Sequence, residues 1–451
     1  MVSMSTLLLF GCSSLRHTLF QSGVFDIGIY DQVVYLMSQG KQPVSSFLGF
    51  HHMGNHAAWS VYPLALLYRI YPSVYWLLAV QAVSLALGAV PTWYLALQAG
   101  LKETQAVTIA GVYLLYPLVF NINLFEFHPE VMAVPVFLGV VLAARLGQLA
   151  WFCIGTLFIL GCKAALSLTV AAMGLWLLVF EKRRFCGIFA LIVGISWFLI
   201  ATQVIIPFYS QNEAAAVERY SYLGDSVFEI VKNVVLKPDL VLGRVFSLKS
   251  LEYLALLTAP VIWGLVPQHL TPLVSAFPAI TLNILSDKPA QRDLIHQYSL
   301  PILPFLILAV ISSLSAHKAW LRSRRAIILW TLVAFIVLAK YSYFWSRYLR
   351  SIDTWEATRE AIAQIQTREA VLTTHSIAPH LTHRRVVQFV DDLSGPLPDF
   401  VEFNYILLNV RHPDGTRNPA FARNLVTQLK GNPLFEISYQ RDDVYLFKKK
   451  S

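Results

Sequence analysis

The chain has 451 residues, 56% hydrophobic and 14% charged, against about 25% charged in an average soluble domain. That balance excludes a soluble globular protein and describes an integral membrane protein. The net charge of +9 lies in short runs between apolar stretches, and no basic run interleaved with aromatic residues marks a nucleic-acid partner.

In chain order, the first apolar stretch, "MSTLLLFGCSSLRHTLF", is interrupted by Arg16 and His17 and is short for a full span. It lacks the small-residue cleavage pattern of a signal peptide and is expected to be retained. "GVFDIGIYDQ" follows, carrying Asp26 and Asp31. Phe25, Ile29, Val33 and Met37 recur every four positions before Gly40, which predicts a short amphipathic helix lying at the membrane surface. Asp26 suits its N-cap and Asp31 its first turn; a general base held at the interface is the chemical alternative. "HHMGNH" then offers His51, His52 and His56, more often solvated or substrate-facing than metal-bound.

Apolar stretches able to cross a core of about 30 Å recur at 74–98, 105–120, 185–207, 269–285, 300–316 and 326–344. With shorter or broken segments, about ten or eleven membrane segments are expected. Short cytoplasmic loops hold the positive excess, so Lys102, Arg145, "EKRR" and "HKAWLRSRR" go inside. The loops 21–56, 121–130, 208–250 and 286–298 and the tail then share the outer face.

Two of these outer segments carry chemistry. "EFHPE" brings Glu126, His128 and Glu130 to one turn, where a helix start at Pro129 accounts for the acid equally well. A histidine flanked by carboxylates also makes this turn a candidate divalent-cation site, though the spacing is unspecific. Lys163 in "GCKAAL" stands between two apolar runs, and a lysine so placed either snorkels or meets an anion such as a phosphate.

From about residue 349 the charge density becomes ordinary. "YILLNV" and "DVYLF" read as strands, "RNLVTQL" has helical spacing and "HPDG" is a turn signal. A small α/β domain is expected over 349–451, outside the membrane, following a helical membrane domain over 1–348. The four cysteines, Cys12, Cys153, Cys162 and Cys186, lie in or beside apolar segments, so neither a disulfide nor a cysteine metal site is expected.

The succession "FDIGIYDQ", "HHMGNH", "LLYPLVFNINLFEFHPE", a lysine between two short spans, "RYSYLG", "HQYSLPILPFL" and "PHLTHRR" resembles a bacterial membrane-protein family of unknown function grouped with the GT-C glycosyltransferases. The resemblance covers nearly the whole chain. It implies a mainly α, polytopic GT-C-like helical bundle with a small C-terminal α/β domain, in the bacterial inner (plasma) membrane. It also implies transfer of a sugar from a polyprenyl-phosphate carrier to an acceptor of unknown identity at the outer face. Asp26 would then be the base, with Asp31 second. Glu126, His128, Glu130 and His56 would orient the acceptor, or the acidic turn would hold a divalent ion. Lys163, with Arg219, His296 and Tyr298, would neutralise the lipid phosphate. The chain departs from the family pattern at Ala164 and Ala165, where an acidic residue commonly follows the lysine.

Two other classes remain in view. A transporter would carry ionisable residues at mid-membrane on broken helices, usually with an internal repeat. A non-catalytic scaffold would tolerate replacement of Asp26.

Overall fold

The computed structural model describes residues 1–211, 217–390, 398–413 and 420–450. The chain forms two compact units, one of Met1–Phe10, Met53–Ser60 and Ala79–Lys340, the other of Gly11–His52, Val61–Leu78 and Tyr341–Ser451. The segments 11–52 and 61–78 thus group with the tail, a division different from the boundary expected at 348/349.

The first unit is helical. Among the described residues, four helices of the chain are long and apolar enough to cross a membrane: Tyr75–Gln98, Glu103–Phe125, Arg184–Ser210 and Pro289–Ser315. Two bent pairs, Pro238–Val245 with Leu248–Gly264 and Arg324–Leu338 with Tyr341–Leu349, bring the total to six if each pair is one span. Leu149–Leu160, Leu166–Val179 and Leu273–Leu285 are apolar but shorter. At 1.5 Å per residue they reach only about 20 Å, short of a bilayer core.

Leu166–Val179 and Arg184–Ile200 run back to back with almost no side chain between them. A Cβ on Gly174 would lie 2.5 Å from the Leu191 nitrogen, one on Gly187 would lie 2.8 Å from the Gly174 carbonyl, and one on Gly194 would lie 2.7 Å from the Ala171 nitrogen. Only glycine permits that approach, as in small-residue membrane helix pairs. By contrast, the helix Val227–Leu236 buries none of its residues. Ile230 and Val234 rest on a small cluster of Tyr220, Leu223 and Leu285, while Phe228 and Val235 are exposed.

The second unit holds a five-stranded sheet of β1 (Val371–Thr373), β2 (Val387–Phe389), β3 (Tyr405–Asn409), β4 (Phe435–Arg441) and β5 (Val444–Lys449). Its order is β2-β1-β3-β5-β4, parallel between β1 and its two neighbours and antiparallel elsewhere. All of β3 is buried because alternate residues feed two cores. Leu407 joins Ala357, Ala361 and Val24 on one face. Ile406 and Leu408 join Leu425 and Leu429 of the helix Phe421–Gly431 on the other. The expected strands and helix of the tail are thus present. Asp414 and Gly415 of "HPDG" lie outside the described residues.

The segment expected as an interfacial amphipathic helix is different. Val24–Gly28 forms a π-turn and Ile29–Ser38 an α-helix, and every residue of that helix except Met37 is buried. Packing within the second unit covers its polar side too, because Gln32 accepts from Ser45 at 3.1 Å and donates to the Arg384 carbonyl at 3.3 Å. Asp26 stands at neither N-cap position. Gly23 and Gly28 occupy those positions, without side-chain caps.

Candidate active site

The acidic turn of the first unit follows the helix Pro117–Phe125 and precedes Glu130–Leu146, whose N-cap is Pro129. Glu126, His128 and Glu130 are all buried, but they serve different ends. His128 Nδ1 lies 3.1 Å from the Glu126 carbonyl, and its ring stacks on Phe125. Glu130, in the first helical turn, forms an ion pair with Lys163. No group of three or more His, Cys, Asp or Glu suited to a metal ion occurs among the described residues.

Lys163 sits in the turn between Leu149–Leu160 and Leu166–Val179. The short helix Met53–His56 is tied to that turn. The Ala164 amide donates to the His56 carbonyl at 2.9 Å, and the Ser60 amide to that of Gly161 at 2.9 Å. Gly161 is required there, since a Cβ would lie 2.3 Å from the Trp59 ring.

Beside the ion pair opens a cavity of about 230 Å³. Lys163, Glu130, Arg219, His56 and Tyr298 form its polar end, and Leu168, Phe198, Ile206, Val231 and Leu282 its apolar wall. Lys163 Nζ and the Arg219 guanidinium lie 5.8 and 5.2 Å from the centroid of the Tyr298 ring, each a cation–π contact. Arg219 also donates to Gln291 at 3.4 Å. Burial, then the nearby charges of Lys163 and Arg219, push His56 well below the ordinary histidine range, so it faces the cavity as a neutral imidazole.

Of the residues singled out from sequence, His56, Glu130, Lys163, Arg219 and Tyr298 therefore meet at one cavity. Glu126, His128 and His296 do not line it. His296 Nδ1 bonds Asp293 at 2.6 Å and its ring meets Phe125 edge-on. Asn55, Gln291 and Gln297 also line the cavity and carried no signal in the sequence, since isolated amides in polar loops are ordinary.

Asp26 and Asp31 belong to the second unit. Asp26 is partly buried within the π-turn, a feature frequent at functional sites. Asp31 is buried and accepts from three groups: Tyr68 at 2.5 Å, Thr382, and His383, whose Nε2 is 3.2 Å away. Tyr35 stacks on His383 with centroids 4.7 Å apart. Burial lowers the His383 pKa, but the charge of Asp31 and its hydrogen bond outweigh that and leave it raised. Thr382 and His383 stand in "PHLTHRR", a segment already singled out, although nothing in its spacing pointed to Asp31.

Two chains of solved structure share this fold. ArnT from Cupriavidus metallidurans bound to undecaprenyl phosphate matches with TM-score 0.56 and 13% identity, over 99% of this chain and 96% of that one. The apo form of the same protein matches with TM-score 0.55 and 10% identity, over 99% and 98%. The fold is therefore ArnT-like, many-helical with a small C-terminal sheet. The chain belongs to the DUF2079 family of predicted membrane proteins, whose model matches residues 16–446. No curated protein matches it in sequence.

Proposed function

We propose that this protein is a membrane glycosyltransferase that takes a sugar from a polyprenyl-phosphate carrier and passes it to an acceptor hydroxyl at the outer face of the bacterial plasma membrane. The observation that carries this is the cavity that joins two cations, Lys163 and Arg219, to an apolar wall, the amphiphilic shape a lipid phosphate requires. The shared fold with ArnT, solved with undecaprenyl phosphate bound, supports the same class of ligand.

In the reaction, the bond between the sugar's anomeric carbon and the phosphate oxygen breaks, and a bond from the acceptor oxygen to that carbon forms. The acceptor's proton goes to a carboxylate, for which Asp26 is the proposed base. Negative charge accumulates on the departing phosphate, where Lys163 and Arg219 supply fixed positive charge. Tyr298 holds both cations against one ring, limiting the reorganisation needed as that charge develops. The positive-inside distribution of loop charges supports an outer location for the acidic segments and the tail.

The test is retention of undecaprenyl phosphate by the purified chain in nanodiscs, read by native mass spectrometry. The wild type should retain it, and Lys163→Gln and Arg219→Gln should each weaken retention by about tenfold or more, as charge-assisted phosphate contacts do. Absence of the lipid from the wild type, or retention by both variants equal to that of the wild type, would remove the basis of the assignment.

A further inference from the structure

The polar end of the cavity holds more than cations. Glu130 and Gln297 are 4% and 7% exposed. Glu130 Oε2 and Gln297 Oε1 find no hydrogen-bond donor among the described residues, and both residues line the cavity. The first oxygen is distinct from the one that meets Lys163. Burying an unsatisfied acceptor costs about 1–3 kcal/mol, and neither oxygen has surface open to the cavity, so a donor brought by a ligand recovers that cost once each side chain turns toward it.

A fully ionised phosphate cannot supply it. Its oxygens accept and are attracted to Lys163 and Arg219, yet they offer nothing to Glu130 or Gln297. Hydroxyl groups next to the phosphate would satisfy both.

The charges agree. Lys163 and Arg219 against Glu130 leave one net positive charge among the described lining residues, with His56 neutral. A sugar-loaded carrier is a phosphodiester of charge −1. The bare carrier is a monoester of about −1.5 to −2 at neutral pH.

Building on the proposed donor site, we infer that Glu130 Oε2 and Gln297 Oε1 receive hydroxyls of the carrier's sugar, so that the cavity selects the loaded glycosyl phosphate over the bare lipid phosphate. Glu130 is then a donor-sugar contact and not an acceptor contact. Once the sugar has left, the spent carrier has surplus negative charge and leaves two acceptors unfilled, which favours its release.

The experiment compares farnesyl phosphate with its glucosyl, mannosyl, galactosyl and arabinofuranosyl esters, binding to the full-length protein in nanodiscs. At least one ester should bind about tenfold or more tightly than farnesyl phosphate, because a site built for a hydroxyl rejects the ligand lacking it. Gln297→Met and Glu130→Gln should reduce that preference to about threefold or less while still binding farnesyl phosphate. Retained farnesyl phosphate binding certifies folding, and Gln297→Met, which leaves the ion pair intact, decides the matter if Glu130→Gln does not fold. An ester preference absent from the wild type, or unchanged in Gln297→Met, overturns the inference. Failure of every lipid to bind instead overturns the donor site itself.

Discussion

Asp31 and His383 are 352 positions apart in the sequence and 3.2 Å apart in the fold. The pair joins the helix Ile29–Ser38 to the segment that follows β1, and Tyr68 and Thr382 occupy the remaining faces of the same carboxylate. The groups that set the charge of His383 are Asp31, which raises its pKa, and Arg368 and Arg384, which lower it.

Its pH dependence has a definite sign. Because the folded value is raised above the ordinary 6.5, the stabilisation is complete below 6.5 and is lost as pH rises through the higher folded value. His380, buried and pushed down to about 4, acts in the opposite direction as pH falls below 6.5. The contribution of His383 is therefore read as a difference. The melting-temperature gap between wild type and His383→Asn should narrow as pH rises from 6 to 8.5, and the gap should be flat across that range in an Asp31→Asn background. A gap that widens with pH contradicts the pairing.

The ion pair of the first unit calls for a double-mutant cycle. Lys163 and Glu130 have side chains only 12% and 5% exposed, so losing one partner strands the other in a poorly solvated site. Lys163→Met alone should cost about 3–5 kcal/mol, and adding Glu130→Gln should recover much of it. Additive effects in thermal unfolding would show the two side chains to be independent.

Asp26 separates chemistry from structure. It stands at neither N-cap position; Asp26→Asn, which keeps the size and hydrogen-bonding capacity of the side chain, should unfold close to the wild-type temperature, and Asp26→Ala should cost about 1 kcal/mol of stability. If Asp26 takes the acceptor's proton, each should lower sugar transfer in membrane vesicles by about 10²- to 10⁴-fold. Full activity of Asp26→Asn would transfer the role of base elsewhere, with Asp31 as the first alternative.

Glycine supplies the fourth test. Gly187→Ala sets a methyl about 2.7 Å from the Leu178 nitrogen, forcing the two helices apart at a cost of about 1–3 kcal/mol. Gly139→Ala, also mid-helix but with nothing within 4 Å, should be neutral or stabilising by up to about 1 kcal/mol. Equal melting temperatures for the two variants would mean that the close approach is not maintained.

Much of this was legible in the chain itself because it rests on local chemistry. Apolar run length revealed the helices around 74–98 and 185–207, short apolar runs rich in strand formers revealed β3 and β5, and a lysine between two apolar runs marked Lys163. Long-range contacts were not legible. Asp31 and Thr382 show no common spacing, and Gln297 becomes informative only when its oxygen is seen to be buried without a donor. The interfacial helix was misjudged for a related reason. Four-residue periodicity identifies one apolar face, and Gln32 on the other face is buried by partners more than 300 residues away.

The glycine-packed hairpin gives the cavity one closely packed side. Lys163 lies three residues before Leu166, at the start of a helix whose backbone abuts that of Arg184–Ile200 at Gly174, Gly187 and Gly194. The helix Val227–Leu236 also lines the cavity, through Val227, Ile230 and Val231, yet buries none of its residues. Lys163 is therefore held by the closely packed part of the lining, while Val227–Leu236 is packed thinly. The space in the cavity is more cheaply reshaped by substitution in Val227–Leu236 than in the hairpin, where a single methyl at Gly187 collides with its neighbour.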